Sequence, residues 1–537
     1  MKTMISSIIL ASCLALPLAS CSDSDVAPEQ KDWSTTTYFY SADAAMQDTY
    51  YKPTVGYVGD PMPFFDPVAG DFKVLYLQDF RPNPEGTYHP IWGVSTKDAA
   101  HYTSLGELVS CGTKKSQDAA IGTGSTIYDE ASKLYYTFYT GNKYLPTGDE
   151  SAQAVMVATS PDFKTWTKDR TFLLKGQDFG YDKNDFRDPF VFKGDDGKFH
   201  MLVSTKKSGK GSLAEFVSDD LKNWTDNGVF MNMMWDRFYE CPDLFKMGDY
   251  WYLVYSEIHH AIRRVQYFKG RTLDELKACT ANDAGRWPDA HEGFLDSRGL
   301  YAGKTASDGT NRYLWGWCPT RSGKDNTAVG ASPAEPEWGG NLVCYKLIQH
   351  EDGTLTLGQV EAVSEKYNQD VAVEVKESQN MTEADGTYTL AGKAQQPDAY
   401  MLMGRLGNHN KISFTVTTSN EWDKFGISMV RGSDSKKYYT MVVNPEPEKE
   451  NIRKVNFEEQ GVEGKGFIAG IDGYEFARPA DNVYNITIYT DNSICVMYIN
   501  DVCSYTNRIY GIQKNCWSIN SYNGANVKIS NLKISQY

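Results

Sequence analysis

The chain has 537 residues, with 54 Lys and Arg against 69 Asp and Glu, and a net charge of −15. That acidic balance argues against a nucleic-acid partner, because neutralising phosphate takes clustered Lys and Arg; a mean hydropathy of −0.49 excludes a multi-span membrane protein. Aromatic residues make up 13% of the chain, beside 45 Gly, which favours many short strands and an aromatic-lined ligand surface over helical bundles.

Residues 1–21 carry Lys2, an apolar run from Met4 to Leu18, then Ala19-Ser20-Cys21. A lone charge and a short apolar core predict an export signal rather than a membrane span. Leu18-Ala19-Ser20-Cys21 resembles a bacterial lipobox, which implies cleavage before Cys21 and lipidation of its thiol. The alternative is a plain signal peptide with an incidental Cys. Residues 22–50 are expected to be a flexible tether. Asp23 and Asp25 close behind Cys21 resemble surface-export signals, so an outer-membrane or cell-surface lipoprotein is expected. With Cys13 lost and Cys21 lipidated, eight cysteines remain. None stands in a CxxC or zinc-type spacing, and their pairing stays open.

Two units then recur. Ser160-Pro161-Asp162-Phe163-Lys164-Thr165-Trp166 and Ser218-Asp219-Asp220-Leu221-Lys222-Asn223-Trp224 match each other, and Thr96, Asp98 and Tyr102 form a degenerate copy. A second unit, an apolar strand followed by an aromatic-rich strand, begins at Asp60-Pro61, Gly124-Ser125, Asp188-Pro189, Cys241-Pro242 and Tyr301-Ala302. Five such units predict an all-β, five-bladed β-propeller over residues 51–358, against the alternative of an unclosed β-sandwich array. The only helical pattern there is a short turn at 273–277. Residues 359–372 read as a linker. Beyond it, alternation returns in Ile412-Ser413-Phe414-Thr415-Val416-Thr417 and Tyr484-Asn485-Ile486-Thr487-Ile488-Tyr489, predicting a C-terminal β-sandwich over 373–537.

Innermost propeller strands line the central channel, so acids on them are the ones to weigh. They are Asp60, Asp188 in Arg187-Asp188-Pro189, and Glu240 in Glu240-Cys241, expected at equivalent positions of three blades. Carboxyls meeting at one axis raise one another's pKa, as a general acid paired with an anion requires. Taken singly, an Asp-Pro is often only a turn, and Arg187-Asp188 could be a structural ion pair.

The set resembles glycoside hydrolase family 32, the invertase, inulinase and levanase group. Asp60-Pro61, Arg187-Asp188-Pro189 and Glu240-Cys241 match its three signatures. Leu77-Gln78, Ile91-Trp92-Gly93, Gly124-Ser125, Leu300-Tyr301-Ala302, Trp315-Gly316-Trp317 and Glu337-Trp338-Gly339-Gly340 extend the likeness, and Thr506-Asn507-Arg508-Ile509-Tyr510 belongs to the matching sandwich. The resemblance implies retaining hydrolysis of β-fructosides, with Asp60 as nucleophile, Glu240 as acid/base, and Asp188 as transition-state stabiliser kept ionised by Arg187. Gln78, Ser125, Trp92 and Trp317 are candidates for sugar contacts, with core packing the alternative for both tryptophans. In one departure, Gly59 stands where the family usually has Asn. No cofactor is assigned. Nor is a metal: His259 and His260, adjacent on a strand, would face opposite ways. The expected partner is a fructan polysaccharide or fructo-oligosaccharide, with the membrane touched only through Cys21. Surface export favours endo-levanase. The alternatives are an exo-β-fructosidase, an inverting arabinan- or xylan-type five-bladed hydrolase, and a non-catalytic carbohydrate-binding lipoprotein.

Overall fold

The structure is a computed structural model and describes residues 49–537, apart from 81–88, 234–237, 258–263, 280–291, 322–335, 432–436, 446–450, 459–472, 510 and 514. The export signal with Cys13, Cys21, nearly all of the tether, His259, His260 and Tyr510 lie outside the described residues.

Five antiparallel four-stranded units follow one another. The first is Tyr57–Asp66, Asp71–Asp79, Ile91–Thr96 and Thr103–Val109. The second is Ala120–Asp129, Leu134–Asn142, Gln153–Ser160 and Thr167–Lys168, and the third is Phe186–Lys193, Phe199–Lys207, Lys210–Ser218 and Thr225–Asn232. The fourth is Glu240–Met247, Tyr250–Glu257, Arg264–Gly270 and Glu292–Phe294, and the fifth is Tyr301–Ser307, Arg312–Arg321, Pro336–Gln349 and Leu355–Gly358. Their first strands touch in cyclic order, with the fifth against the first, and the pair Val58↔Gly340 joins those two blades by backbone. The ring therefore closes and the propeller reading holds.

The aromatic excess packs both within blades, as Phe245 on Tyr252 at 5.4 Å, and between them. Phe72 meets Trp315 at 5.2 Å and Phe138 meets Trp224 edge-on at 5.6 Å. This differs from the expected aromatic ligand surface, and the reason is geometric: wedge-shaped gaps between twisted sheets need large rigid side chains. The Ser-x-Asp repeat is likewise structural. It turns the chain from third to fourth strand, where Asp162 Oδ1 accepts the Lys164 and Thr165 amides at 2.9 and 2.8 Å, and Asp220 Oδ1 those of Lys222 and Asn223 at 2.9 and 2.8 Å. The next residue is left-handed in all three copies, with φ of 58° at Ala99, 59° at Phe163 and 63° at Leu221.

The short helix is Leu273–Lys277, capped by Thr272. The expected linker is more ordered than its composition implies: it holds the helix Glu361–Lys366 and the strand Gln369–Val371, which pairs with the last strand, so the sandwich begins before residue 373. Its two sheets have eight and seven strands and enclose Phe414, Ile427, Met441, Ile486 and Trp517. Strand His409–Thr418 alternates between buried and half-buried residues along its whole length, as its sequence demands.

Buried polar groups lock the two modules together. Arg508 donates to the carbonyls of Cys318 and Pro319 at 2.9 and 3.1 Å, and Asp296 accepts the Thr506 amide and hydroxyl, both at 2.8 Å. The Thr49 and Tyr50 amides both donate to Asp491 at 2.9 Å, so the fold begins inside the segment read as tether. The eight described cysteines are free thiols, and all but Cys516 are buried.

Candidate active site

Each innermost strand carries one irregularity at the same height. Pairing with the second strand slips between Gly59 and Met62, between Gly122 and Gly124, opposite Leu202/Ser204, between Glu240 and Asp243, and between Tyr301 and Lys304. A β-bulge inserts one residue and re-aims the side chains beside it. Asp60, Thr123, Asp188, Cys241 and Ala302 therefore form one layer around the channel, and Gly59, Gly122, Arg187, Glu240 and Tyr301 form the layer one residue earlier. Asp188, Cys241 and Ala302 are left-handed, with φ of 58°, 52° and 52°. Such strain in non-glycine residues persists only where the surroundings over-determine it. This corrects one expectation: Asp60 and Asp188 are equivalent, but Glu240 sits one position earlier and Cys241 takes the equivalent place.

The bulges gather the three acids. Asp60, half-buried, accepts the Thr123 hydroxyl on Oδ2 at 2.7 Å and the Trp317 indole on Oδ1 at 3.0 Å. Glu240 accepts Arg187 Nη2 on Oε1 at 2.9 Å and the Tyr301 hydroxyl on Oε2. Tyr301 and Trp317 lie ring to ring at 5.5 Å, so the two acids hang from one aromatic pair. Asp188 is 4% exposed and accepts the Cys241 amide at 2.9 Å. Burial raises the Asp60 pKa, the Thr123 and Trp317 bonds oppose that rise, and the Glu240 charge adds to it. Burial likewise pushes Asp188 up to about 6, against the pull of Arg187.

Arg187 departs from its expected partner. Its Nη1 bonds Asp185 at 2.7 Å, its Nη2 bonds Glu240, and its guanidinium lies 3.9 Å from the Phe238 ring centre. Its charge still acts on Asp188, but its hydrogen bonds orient Glu240, because the bulge turns consecutive residues to different sides. Cys241 is buried, and burial together with Asp60 and Asp188 pushes its thiol far above the usual range, so it is no nucleophile at neutral pH.

Of the candidates for sugar contacts, Trp317 reaches the acids, but it is fully buried and holds Asp60 as a wall of the site. Gln78 is fully buried at the end of the second strand; its Nε2 donates to the Val55 carbonyl at 2.6 Å, and its Oε1 has no partner among the described residues. Ser125 is turned away. Its hydroxyl donates to the Pro189 carbonyl and accepts the Val191 amide, both at 2.9 Å, which uses it as a staple between second and third blades. Trp92 lies on the third strand of its blade, edge-on to Phe80 at 5.9 Å, in the packing role held open for it. Thr123 and Tyr301, given no role from sequence, are direct partners of the acids. Their only signal was position: the residues flanking the repeat's strand start.

The model for the glycosyl hydrolases family 32 N-terminal domain matches residues 50–360, and that for the GH32, BT1760-like, C-terminal domain matches 353–534. The chain belongs to glycoside hydrolase family 32. Among curated relatives, an insoluble β-fructofuranosidase isoenzyme of Arabidopsis thaliana is 26% identical over 52% of this chain and 50% of its own length. The sucrose-6-phosphate hydrolase of Vibrio alginolyticus is 26% identical over 42% of this chain and 45% of its own. The chain thus spans about half the length of the curated relatives it matches. Among solved structures, sucrose-6-phosphate hydrolase from Lactobacillus gasseri superposes with a TM-score of 0.67 at 18% identity, covering 91% of this chain and 94% of that one. Fructan 1-exohydrolase IIa from Cichorium intybus does so with a TM-score of 0.67 at 15% identity, covering 91% and 98%. These likenesses show the fold, a propeller with a sandwich behind it.

The family 32 departure at Gly59 has a structural counterpart. A Cβ at Gly59 would stand 2.1 Å from Trp338 Cη2. The Trp338 indole thus fills the space that a side chain would need, half-buried, stacked on His89 at 4.3 Å and 6.2 Å from Trp317.

Proposed function

We propose that this chain is a retaining β-fructosidase that cleaves fructan outside the cell, attacking levan at internal bonds. The observation that carries the reading is the suspension of Asp60 and Glu240 from the adjacent Trp317 and Tyr301, which hangs two chain-distant carboxyls from one pair of touching rings. In the reaction, an Asp60 oxygen bonds to the fructosyl anomeric carbon while the bond to the leaving oxygen breaks and Glu240 protonates that oxygen. Water then attacks the same carbon, Glu240 takes its proton, and the ester to Asp60 breaks. Retention requires the two carboxyls about 5–5.5 Å apart, too close for an intervening water. Asp188, held by the Cys241 amide, faces the charge that develops on the ring. Export and a lipid anchor at Cys21 support a polymeric substrate, and polymer outside the cell favours internal cleavage.

The test follows the product anomer by NMR in the first minutes on levan and on inulin, with Asp60→Asn and Glu240→Gln assayed beside the parent. The expected result is a retained first product, oligomers from levan, and loss of activity by several orders of magnitude in both variants. An inverted first product overturns the retaining mechanism. A parent as silent as its variants but still binding sugar leaves a carbohydrate-binding protein, and free fructose as the sole early product makes the action exo. Metabolic labelling with a fatty acid, compared with Cys21→Ala, tests the anchor.

A further inference from the structure

Beyond the bulges the five innermost strands bring Met62, Gly124, Phe190, Asp243 and Lys304 into one layer beneath the acids. Lys304 is 2% exposed, and its side chain crosses the channel. Its Nζ donates to the Gly124 carbonyl of the second blade at 2.9 Å and lies 5.2 Å from the Phe190 ring centre of the third. A buried ammonium is costly unless opposite charge stands close by. The carboxyl in its own layer is served elsewhere: Asp243 Oδ2 accepts the Thr305 amide and hydroxyl, both at 2.6 Å, and the Arg312 guanidinium joins them through the Thr305 hydroxyl at 2.8 Å. On the far side of the acids, Arg187 is committed to Asp185 and Glu240.

We propose that Lys304 is a positioning residue of the reaction: from beneath the acid layer it supplies the positive charge that balances the Asp60 carboxylate, and it pins the strand that carries Thr123, the hydroxyl donor to that carboxylate. The inference rests on Asp60 being the nucleophile. Every blade contributes to the field at Asp60. The first supplies Asp60 itself, the second no charge but Thr123, the third Arg187 and Asp188, the fourth Glu240, Cys241 and Asp243, and the fifth Tyr301 and Lys304. The carboxyls of Glu240 and Asp188 and the Cys241 thiol thus oppose ionisation of Asp60, and Lys304 favours it. Of the two cations beside the acids, Arg187 is committed by hydrogen bonds to Asp185 and Glu240, whereas Lys304 bonds the strand that carries Thr123.

The experiment measures kcat/KM against pH for the full chain and for Lys304→Gln, Lys304→Met and Lys304→Arg. Gln keeps a donor for the Gly124 carbonyl and removes the charge, so it answers even if Met does not fold. The expected result is an acidic limb displaced upward by about one pH unit in the Gln and Met variants, a tenfold loss of kcat/KM below the limb, and a limb returned to the parent's position in Arg. A folded Lys304→Gln whose limb does not move overturns the inference, because a structural role lowers activity evenly across pH. Asp60→Asn separates the two levels: an active Asp60→Asn refutes the nucleophile itself, whereas an inactive one beside an unmoved Lys304→Gln limb refutes only the role of Lys304.

Discussion

Thr123→Val keeps the shape of a side chain and deletes the hydroxyl that donates to Asp60 Oδ2 at 2.7 Å, leaving the Trp317 bond on Oδ1 at 3.0 Å. Burial raises the Asp60 pKa, and those two bonds are the largest interactions that restrain it. A hydrogen bond to a charged group contributes about 1.5–3 kcal/mol, and about 1.4 kcal/mol corresponds to one pKa unit. Losing one bond therefore raises Asp60 by a further ~1–2 units. As the proposed nucleophile, Asp60 must be ionised, so the acidic limb of kcat/KM climbs by the same amount, a ten- to hundredfold loss on the acid side with a much smaller loss on the plateau. Stability follows in sign. A carboxyl whose folded pKa lies above its unfolded value contributes stability that is present below the unfolded pKa and lost as pH rises through the folded one. The variant widens that gap, so it is less stable than the parent by ~1.5–3 kcal/mol near pH 7 and nearly equal to it near pH 3. The assay is kcat/KM from pH 4 to 8 with thermal melts at both extremes. A folded Thr123→Val with an unmoved limb refutes the reasoning.

Three further outcomes are expected. Asp188, pushed from 3.8 to about 6 chiefly by burial, contributes stability that disappears as pH rises through about 6, so Asp188→Asn gains about 3 kcal/mol on the parent between pH 4 and 7; parallel melting curves would contradict this. Ser125→Ala leaves the Pro189 carbonyl and the Val191 amide without their shared partner and lowers stability by ~1–3 kcal/mol with KM within about twofold of the parent, whereas a large KM change at constant Tm returns Ser125 to the sugar pocket. Gly59→Asn forces Trp338 aside and costs ~1–3 kcal/mol in thermal melts, and adding Trp338→Ala relieves that cost; additive effects of the two substitutions would show that the indole does not occupy the Gly59 space.

Much of the architecture was legible from local pattern. Strand pairs announce themselves by composition at each of the five repeats, and alternation at 412–417 and 484–489 marks half-buried sheet. The helix at Leu273–Lys277 follows from Thr272 and the acidic first turn behind it. Less legible was the segment 359–372, where mixed charge and small residues hid a helix and a strand whose partner lies at the far end of the chain. The Ser-x-Asp unit was visible as a repeat, but its purpose was not, because an Asx turn and a catalytic acid use the same residue types.

The sequence by itself singled out the three carboxylates that the fold brings together, since Asp60, Arg187-Asp188-Pro189 and Glu240-Cys241 are short motifs whose identity survives without coordinates. Tertiary structure alone decided what each one touches. A bulge adds one residue to each innermost strand, so the side that a neighbour faces cannot be read by counting: Ser125 turns into the wall while Thr123 reaches Asp60, and Arg187 serves Glu240 in place of the adjacent Asp188. Lys304 shows the same limit, for it meets Gly124 across a channel that exists only once five blades have closed.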